Sequence, residues 1–581
     1  GAGIARVNTD SPACPHRPRC PGCPLLELAY PAQLEQKTRV LARALALYPV
    51  LAGHTLEAPV AAEPVTAFRL RTKLVVEGRA LGLFARGTHD VVDIPGCLVQ
   101  RPRLKAVLDA LRAALPLPGP ISSVDLREAD EGVLVTAAVP PSLPARERRA
   151  LAERIAALAP HVASVAVSTR ESDAPQLLGS ALEVLVGPTE LRHRPDPDAP
   201  WHYAAHGAFV QAHAGQLVRL HGAVEAALTA PELGAASRSL AGVCVLELYG
   251  GSGALALRLA AHGARVTLVE SFAPAVRLAE SAAREQGLEL ETLAADAGDA
   301  LARFARENAR FAAVIVDPPR RGLAVDVRRL IAALAPERLI YVSCAPETLA
   351  RDAAHLARLG YALVRATPFD MIPQTDAVET LARFVRRQPP ALAVLAEDET
   401  FIAVDKPPHA TVTAPAGAEH GVPLAVLDAA VSGVCLFART PELARSLESA
   451  VRDATAEYIL LARGILRAGG TLSLAGRPST ARVRYERTRI VAGHSLVTVR
   501  AVPSDISPLT RAFARIGHPV LGDARHGDRR SNAHFCHRYG LDRPFLHRRA
   551  LELMLPPGRV RLEAPLAPDL EAVLAALEPA A

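Results

Sequence analysis

The amino-acid sequence predicts a multidomain α/β protein, and three observations support that prediction. The chain has 581 residues, which corresponds to three or four domains at roughly 100–200 residues each. Strands and helices alternate between Val243 and Thr367, a pattern typical of a parallel, doubly wound sheet. A strand-rich stretch of different character begins at Leu392 and continues to the C-terminus.

Composition narrows the class of protein further. Hydrophobic residues make up 50% and charged residues 22%, as in ordinary globular proteins, which excludes disorder as the main state. No long apolar run and no signal segment is found, so we expect a cytoplasmic protein that neither spans a membrane nor is secreted. The net charge of +6 permits a nucleic-acid partner without requiring one.

The first 200 residues predict an α+β region in two parts. Residues 1–100 begin with a Pro- and Cys-rich stretch without periodicity and continue with short antiparallel strands at Thr72–Val76 and Val91–Ile94. Residues 101–200 form a predicted central α+β domain. Its predicted helices and strands are Leu104–Leu115, Ala145–Leu158, Val162–Val167 and Leu182–Val186.

Three of the eight cysteines are crowded near the N-terminus, at Cys14, Cys20 and Cys23. Such uneven placement is unlike a disulfide framework, and in a cytosolic chain it more often marks a metal centre. Cys97, at the end of Asp93–Cys97, offers a fourth thiolate. Four thiolates suit either tetrahedral zinc or an iron–sulfur cubane, and the spacing alone favours zinc.

Residues 201–388 carry the signs of an adenosine-containing ligand. After a predicted helix at Gln211–Leu228, the apolar strand Val243–Leu248 breaks into a turn with Gly251 and Gly253, where a backbone can approach a ligand closely. Acidic residues follow the next three strands. They are Glu270, placed to accept both hydroxyls of a ribose, Asp296, and Asp317. This combination favours a class I S-adenosylmethionine (Rossmann-like) fold over a nicotinamide site.

A thiol and a carboxylate complete the pattern. Cys344 sits in a turn just past the strand Leu339–Val342, where open α/β sheets place their ligands. The segment Phe369–Glu379 follows and supplies an acid. A lone cysteine is more often a buried residue that only fills space in the hydrophobic core, but Cys344 lies in a turn beside a predicted methyl-donor site.

With these motifs in order, residues from about 14 to 388 resemble the uracil-5 RNA methyltransferase family, most closely its short ribosomal-RNA branch, which also starts directly with its cysteines. The resemblance implies that Cys344 adds to carbon 6 of uracil, so that carbon 5 becomes nucleophilic, and that Glu379 removes the carbon 5 proton. It also implies contacts with the methyl donor, made by Gln211, Tyr249, Glu270 and Asp317.

The same resemblance implies a four-iron cluster on Cys14, Cys20, Cys23 and Cys97, because the family holds one with this spacing. Two positions depart from the family pattern, at Gly250 and Ala377, and neither removes a group that the mechanism requires. The target base must be extruded from folded RNA. Candidate contacts for it are Phe209, Arg320 and Arg321, although packing explains Phe209 equally well.

Residues 392–581 resemble the pseudouridine synthases of the large-subunit-ribosomal and transfer-RNA branch, on motifs such as Leu395–Pro408 and Ile516–Asp523. Asp428 and Tyr458 match the catalytic carboxylate and the stacking tyrosine. The two expected arginines are replaced by Val426 and Thr510, and Arg511 falls one residue late, which points it away. An aspartate without its cationic partner loses Coulombic stabilisation.

We therefore expect this last domain, predicted to be α+β, to bind RNA and to isomerise uridine poorly or not at all. Arginines at 482, 484, 487 and 489, and seven more between Arg525 and Arg549, favour RNA binding; a solvated face explains them about as well. The alternatives are a bifunctional methyltransferase and pseudouridine synthase, and a non-catalytic RNA-binding or ribosome-assembly factor. Ribosomal RNA is the favoured partner, transfer RNA the second choice, and a monomer the expected state.

Overall fold

The computed structural model describes residues 13–117, 119–171, 176–179, 181–230, 239–387, 392–410, 421–474, 481–502, 506–555 and 558–578. Residues 388–390 of the predicted linker and residues 503–505 before Thr510 lie outside these ranges. The chain divides into two compact units. Unit 1 comprises Gly1–Ala42, His54–Thr348 and Leu363–Arg386, and unit 2 comprises Arg43–Gly53, Leu349–Ala362 and Arg387–Ala581. The boundaries predicted at residues 100, 200 and 388 stay predictions.

The described elements are numbered in chain order. The helices are α1 (Tyr30–Ala46), α2 (Pro102–Ala114), α3 (Ala145–Ala156), α4 (Ala214–Thr229), α5 (Ala254–Ala261), α6 (Ala273–Glu285), α7 (Ala297–Arg306), α8 (Val325–Leu334), α9 (Pro346–Arg358), α10 (Pro441–Arg452), α11 (Ile506–Arg515), α12 (Arg529–Tyr539) and α13 (Pro568–Leu577), with a 3-10 helix at Pro49–Leu51.

The strands up to residue 386 are β1 (Thr55–Leu56), β2 (Arg71–Glu77), β3 (Ala80–Phe84), β4 (Val91–Asp93), β5 (Ser123–Ala129), β6 (Gly132–Val139), β7 (Val162–Thr169), β8 (Ala181–Val186), β9 (Glu190–His193), β10 (His202–Ala205), β11 (Cys244–Leu248), β12 (Arg265–Glu270), β13 (Leu290–Ala294), β14 (Ala313–Val316), β15 (Arg338–Ser343), β16 (Tyr361–Phe369) and β17 (Glu379–Arg386). The later strands are β18 (Ala393–Glu397), β19 (Phe401–Lys406), β20 (Val422–Ala425), β21 (Ser432–Ala438), β22 (Thr455–Ala462), β23 (Gly469–Leu474), β24 (Ala481–Val491), β25 (His494–Ala501), β26 (Leu546–Leu555) and β27 (Gly558–Glu563).

The N-terminal part of unit 1 is a sheet with the order β4-β3-β2-β5-β6-β7-β8. Helix α2 packs on it with Leu104, Val107, Leu108 and Leu111, which recur every three or four residues and are all buried. Strands β5 and β6 are buried along their whole length. The sheet and its helices therefore form the α+β arrangement that the sequence predicts for this region.

The second sheet of unit 1 has the order β1-β16-β17-β15-β14-β11-β12-β13. Strands β11 to β15 run parallel, as predicted. Strand β17, which the sequence analysis does not predict, departs from the parallel pattern and pairs antiparallel with β15. Strand β17 follows β16 after only the short segment 370–378, which is too short for the helical crossover that parallel pairing needs.

Two helices differ from the sequence-based expectation. Helix α4 begins at Ala214 rather than at Gln211, because the side chain of His213 accepts a hydrogen bond from the N–H of Gln216 and caps the helix there. Helix α1 has no counterpart among the predicted elements. Its buried face carries Gln33 and Lys37, and these polar residues hide the apolar periodicity by which a helix is recognised.

Unit 2 contains a sheet with the order β18-β19-β21-β26-β22-β25-β24-β23, to which β20 and β27 are added at β21 and β26. Most neighbouring strands pair antiparallel, and β21 pairs with β26 in parallel. Helices α10 to α13 accompany the sheet, so this region is α+β. In the parts of the chain described above, no helix is both long enough and apolar enough to cross a membrane.

Candidate active site

The candidate site lies where the parallel strands of the second sheet end. Tyr249, Glu270, Asp317 and Cys344 come at the carboxyl ends of β11, β12, β14 and β15, and Asp296 follows β13. These strands are neighbours in the order β15-β14-β11-β12-β13. Because parallel strands present their carboxyl ends at one edge, the five residues share that edge of the sheet.

The glycine-rich turn after β11 is shaped by left-handed backbone. Tyr249 has φ +64°, Gly251 φ +55° and Gly253 φ +80°. Gly253 is the N-cap of α5, and a Cβ there would lie 2.8 Å from the Cβ of Ala279, so the position requires glycine. The N–H of Gly251 donates to Oε2 of Glu270 at 3.2 Å, and this bond joins the turn to the neighbouring strand.

The carboxylates at this edge differ in their surroundings. Glu270 is half-buried, and its Oε1 accepts the N–H of Phe272 at 2.7 Å. Asp296 is exposed and caps α7 through the N–H of Gly298. Asp317 is reached by solvent, but surrounding protein atoms raise its pKa to about 7 by desolvation. Gln211 lies half-buried just before α4.

Glu247 is a functional candidate that the sequence analysis does not single out. It lies inside β11 and is buried, and Oε2 of its carboxyl has no hydrogen-bond partner among the described atoms. Burial, and then the charge of Asp317, raise its pKa to about 8. A Cβ on Gly250 would lie 3.1 Å from its Cδ and 2.9 Å from Leu268. A larger residue at 250 would therefore crowd Glu247, which explains the glycine in this chain.

Cys344 and Glu379 come from adjacent antiparallel strands. The register of β15 and β17 pairs Ser343 with Thr380, so Cys344 and Glu379 each adjoin this last pair, and the charge of Glu379 acts on the Cys344 thiol. Cys344 is half-exposed, and Glu379 is buried. The structure therefore brings together the thiol and the carboxylate that the sequence separates by 35 positions.

Burial and nearby charges raise the pKa values of both Cys344 and Glu379. Burial raises the pKa of Cys344, Glu379 and Asp317 raise it further, and Arg320 lowers it. Burial likewise raises the pKa of Glu379 well above its usual range, with Asp317 adding to the effect and Arg320 opposing it. Arg320 is exposed and is the cation whose charge acts on both groups.

The segment that leads to Glu379 is held by α1. Lys37 and Asp370 are both fully buried and form an ion pair at 2.5 Å. The backbone N–H of Gln374 donates to Oε1 of Gln33 at 3.1 Å, and its carbonyl accepts the N–H of Leu25 at 3.0 Å. These bonds fix the 370–378 segment between β16 and β17, and with it the start of the strand that carries Glu379.

Four cysteines line a single cavity of about 120 Å³. They are Cys14, Cys20, Cys23 and Cys97, and residues 372–375 line the same cavity. Burial and the neighbouring thiols raise the pKa of Cys23 to about 11, and the buried Arg69 opposes this shift. Among the residues that the structure describes, no three metal-ligating side chains are grouped as they would be around one ion.

Phe209 is 68% exposed, so packing does not account for its position. Arg320 and Arg321, the other two candidates for contact with an extruded base, are exposed as well.

In unit 2 the matched residues have different environments. Asp428 is exposed, whereas Tyr458 is completely buried in β22. Lys406 is buried and donates to the carbonyls of Pro407, Ala429 and Val431, so its ammonium holds the loop around Asp428. Thr510 is buried on α11, and its neighbour Arg511 is exposed.

The arginines of unit 2 divide into buried and exposed groups. Arg543 and Arg548 are fully buried, and Arg543 pairs with Asp569 at 2.7 Å. The seven arginines between 525 and 549 were counted in favour of RNA binding, and these two do not support it because they are buried. On β24, Arg487 donates to the carbonyl of Leu466 and Arg489 pairs with Glu578. Arg482 and Arg484 stay exposed.

Comparison with known proteins identifies similar chains. Residues 235–387 match the family model of tRNA (Uracil-5-)-methyltransferase. The 23S rRNA (uracil(1939)-C(5))-methyltransferase RlmD of Chromohalobacter salexigens is 34% identical over 404 residues, which are 67% of this chain and 79% of that protein. An uncharacterised RNA methyltransferase of Geobacter sulfurreducens is 29% identical over 413 residues, covering 66% of this chain and 79% of that protein.

A solved structure is also similar. The tRNA (uracil-54, C5)-methyltransferase of Pyrococcus abyssi, in complex with S-adenosyl-L-homocysteine, has a TM-score of 0.52 and 26% identity. The similarity covers 64% of this chain and 86% of that one.

Proposed function

The chain belongs to the uracil-5 RNA methyltransferase family and is an RNA uracil-5 methyltransferase, and from this premise we propose that Cys344 is its nucleophile and Glu379 its general base. The single observation that supports these roles most strongly is the strand register, because Cys344 and Glu379 both adjoin the pair Ser343–Thr380. A flat uracil ring between them would present carbon 6 to the thiolate and the carbon 5 proton to the carboxylate.

The proposed reaction follows from these groups. Deprotonated Cys344 forms a bond to carbon 6, and the electrons of the carbon 5–carbon 6 double bond move into an enolate. Carbon 5 of the enolate would attack the methyl group of S-adenosylmethionine, and the sulfur–methyl bond would break with its electron pair left on sulfur, which releases S-adenosyl-L-homocysteine. Glu379 takes the proton from carbon 5, the double bond re-forms, and the Cys344 thiolate leaves. Arg320 favours the thiolate, because its positive charge lowers the pKa of Cys344.

The methyl donor would be held at the strand edge described above. Gly251 leaves open space at the turn, Gly253 lets α5 pack closely against Ala279 of α6, and we expect Glu270 to contact the ribose, with Asp296 after the next strand. The other proposed contacts with the methyl donor are Gln211, Tyr249 and Asp317. A Cβ built on Gly251 meets no atom within 4 Å, which is the open space that a ligand at this turn needs.

Replacement of the nucleophile tests this mechanism. Cys344→Ala is expected to abolish methylation of RNA while S-adenosylmethionine still binds, because the thiol takes no part in holding the donor. Cys244→Ala is the matched control, since Cys244 is also half-exposed but contacts Arg265 at the opposite end of β11. Equal turnover by wild type and Cys344→Ala would refute the proposal.

For the substrate, we propose 23S ribosomal RNA, in line with the Chromohalobacter relative, which aligns over most of its length. Transfer RNA is the second candidate, because the Pyrococcus neighbour acts on it. Mapping 5-methyluridine in total RNA from cells with and without the gene decides between them. Loss of a mark from 23S RNA alone supports the first choice, and loss from transfer RNA alone overturns it.

We propose a four-iron cluster for the cysteine cavity. A cavity that holds one water needs roughly 10–15 Å³, whereas this cavity of about 120 Å³ is far larger than one water or one metal ion requires. Four thiols around a space of this size fit a cubane better than one zinc ion. A cluster there would also support residues 372–375, the segment that leads to Glu379.

Metal analysis tests the cluster. Protein purified without oxygen is expected to be brown and to contain about four iron and four sulfide per chain. Cys20→Ser is expected to lose this colour, and Cys536→Ser, outside the cavity, to keep it. Colourless wild-type protein with one zinc per chain would contradict the proposal.

We propose that unit 2 binds RNA and has little or no isomerase activity. Lys406 is committed to backbone carbonyls, and Thr510 stands where the family has an arginine. A bifunctional enzyme is the alternative, because Asp428 and Tyr458 are retained. Full-length protein should form no pseudouridine in RNA, and pseudouridine that disappears in Asp428→Ala would establish the bifunctional enzyme instead.

A further inference from the structure

Unit 1 contains a second polar cavity, of about 500 Å³, and its lining includes none of the residues named at the strand edge that carries Cys344. Its wall includes three arginines, Arg101, Arg103 and Arg194, together with Glu128 and His193. This volume lies within the range of small-molecule sites, roughly 300–1,000 Å³, and is large enough for one nucleotide. None of these residues has a role in the proposed methyl transfer.

Two helices begin at this cavity. Helix α2 starts at Pro102 and helix α4 at Ala214, and both residues line the wall. The N-cap of α2, Arg101, makes no side-chain capping bond, so the first N–H groups of that helix keep their donor capacity. The side chain of His213 takes one N–H at the start of α4, and the remaining N–H groups of the two positive helix ends can bind an anionic oxygen such as a phosphate.

Buried polar atoms at the same wall lack protein partners. Glu128 and His193 are 5% and 4% exposed. Oε1 of Glu128 lies 3.2 Å from Nε of Arg101, and Nδ1 of His193 lies 3.4 Å from Oδ1 of Asp130, whereas Oε2 of Glu128 and Nε2 of His193 have no hydrogen-bond partner among the described atoms. Buried polar groups are normally hydrogen-bonded, so these atoms indicate a ligand that donates to Glu128.

The charges around the cavity favour an anion over a cation. Three arginines face two carboxylates, Glu128 and Asp130. Asp130 is already engaged, because its Oδ2 accepts the backbone N–H of Arg194 at 2.8 Å and its Oδ1 lies 3.4 Å from His193. Arg103 donates to the carbonyl of Asp130 at 2.9 Å and is held at the rim. The remaining positive charge suits phosphate.

The cavity lies beside the segment that carries Gln211. The N–H of Leu70 donates to the carbonyl of Ala212 at 2.9 Å, and the N–H of Glu128 donates to the carbonyl of Leu70 at 2.8 Å. Glu128 is therefore two backbone hydrogen bonds from the residue next to Gln211. The cavity and Cys344 both belong to unit 1.

We propose that this cavity binds a second, non-reacting nucleotide of the RNA substrate. Its phosphate lies at the helix ends and the arginines, and its base donates an exocyclic amino group to Oε2 of Glu128. Guanine, adenine and cytosine carry such a group and uracil does not. Single-stranded RNA is commonly recognised through splayed bases in pockets of this kind. The proposal rests on the proposed function, since it assumes an RNA substrate.

Kinetics of two variants test the proposal. Arg194→Ala changes an exposed side chain, and Glu128→Gln keeps the shape of the residue while removing its charge. Each is expected to raise KM for RNA about tenfold, with kcat and the Kd for S-adenosylmethionine unchanged. Arg149→Ala is the control, because Arg149 is exposed on α3 and pairs with Glu153. An unchanged KM in both variants would overturn the proposal.

Direct binding of nucleotides to the wild-type full chain separates this proposal from the proposed function. GMP and CMP are expected to bind at least about tenfold more tightly than UMP, and Glu128→Gln to erase the difference. If GMP, UMP and inorganic phosphate all bind with equal affinity, the cavity is only a phosphate site and base recognition is refuted. Methylation that fails in wild type would refute the proposed function, whatever nucleotides bind here.

Discussion

Burial and charges of both signs set the pKa of the Cys344 thiol, and with it the fraction of thiolate that can attack. Burial and the carboxylates of Glu379 and Asp317 raise the pKa of the thiol, and Arg320 lowers it. The pKa of the Cys344 thiol therefore lies above its usual value, and the thiol must lose its proton before it can attack. Glu379, whose pKa is also raised, must likewise lose its proton before it can act as a base.

Methylation is accordingly expected to speed up as pH rises through neutrality, because both groups work in their deprotonated forms. Arg320→Gln removes the charge that lowers both pKa values, so its profile of kcat/KM against pH should shift toward higher pH. The control is Arg329→Gln, because Arg329 pairs with Asp326 on α8. This variant should leave the pH profile unchanged. A shift toward lower pH in Arg320→Gln would contradict this account of the site.

Glu247 makes stability depend on pH. Its pKa is about 8 in the folded protein, above the usual 4.5, so its contribution to stability is fully present below about pH 4.5 and is lost as pH rises toward 8. Glu247→Gln lacks this titration. The melting temperature of the variant relative to wild type is therefore expected to increase from pH 5 to pH 8, and a difference that falls over this range would refute the assignment.

At the scale of elements, helix α1 holds the segment that precedes Glu379. Removing one partner of the buried pair Lys37–Asp370 leaves an uncompensated charge, which costs roughly 3–5 kcal/mol. Lys37→Met is therefore expected to lower the free energy of unfolding of unit 1 by about this amount and to slow methylation, measured by denaturant unfolding and by kcat. The double variant Lys37→Met with Asp370→Asn should recover part of the stability; no recovery would argue against the charge as the cause.

Motifs at strand ends made much of the site predictable. Glu270, Asp317 and Cys344 each follow an apolar strand, and parallel strands bring such positions to one edge. The alternation of apolar strands with helices likewise predicts the parallel strands β11 to β15. The antiparallel β17 was not predictable in this way, because the strand pattern does not encode direction and the short connection before it holds no distinct signal.

Burial of polar residues was the part that the sequence concealed. Gln33 and Lys37 interrupt the apolar face of α1, and Arg543 and Arg548 look like surface cations but lie in the interior of unit 2. Each is stabilised by partners far away in sequence, such as Asp370 for Lys37 and Asp569 for Arg543. Local composition carries no information about such partners. The sequence analysis therefore treats Arg543 and Arg548 as exposed cations and does not predict the burial of Gln33 and Lys37.

At the scale of the whole molecule, the chain combines two units that are discontinuous in sequence. Unit 2 includes residues 349–362, and within it Arg358 pairs with Asp542 at 3.6 Å and Asp569 at 3.7 Å. A fragment that starts at residue 392 would lack Arg358. Charge substitutions in the full-length chain are therefore a better test of this unit than truncation.

Arg482 and Arg484 lie on the exposed face of β24, where Arg484 is opposite Arg500 on β25. Changing both to glutamate is expected to weaken RNA binding about tenfold or more and to reduce the salt dependence of the affinity by about two phosphate contacts. Arg445→Glu with Arg452→Glu on α10 is the matched control. Equal losses in both pairs would indicate a general charge effect rather than an RNA-binding face.

The covalent bond between Cys344 and uracil is the central claim, and a Glu379→Gln variant tests it most directly. Without the base, carbon 5 keeps its proton after methylation, elimination stops, and the enzyme stays attached to RNA. Mass spectrometry of the digested complex is expected to find a methylated uridine nucleotide on the peptide that contains Cys344. An adduct on another cysteine, or methylated RNA released at wild-type speed with no adduct, would contradict the account.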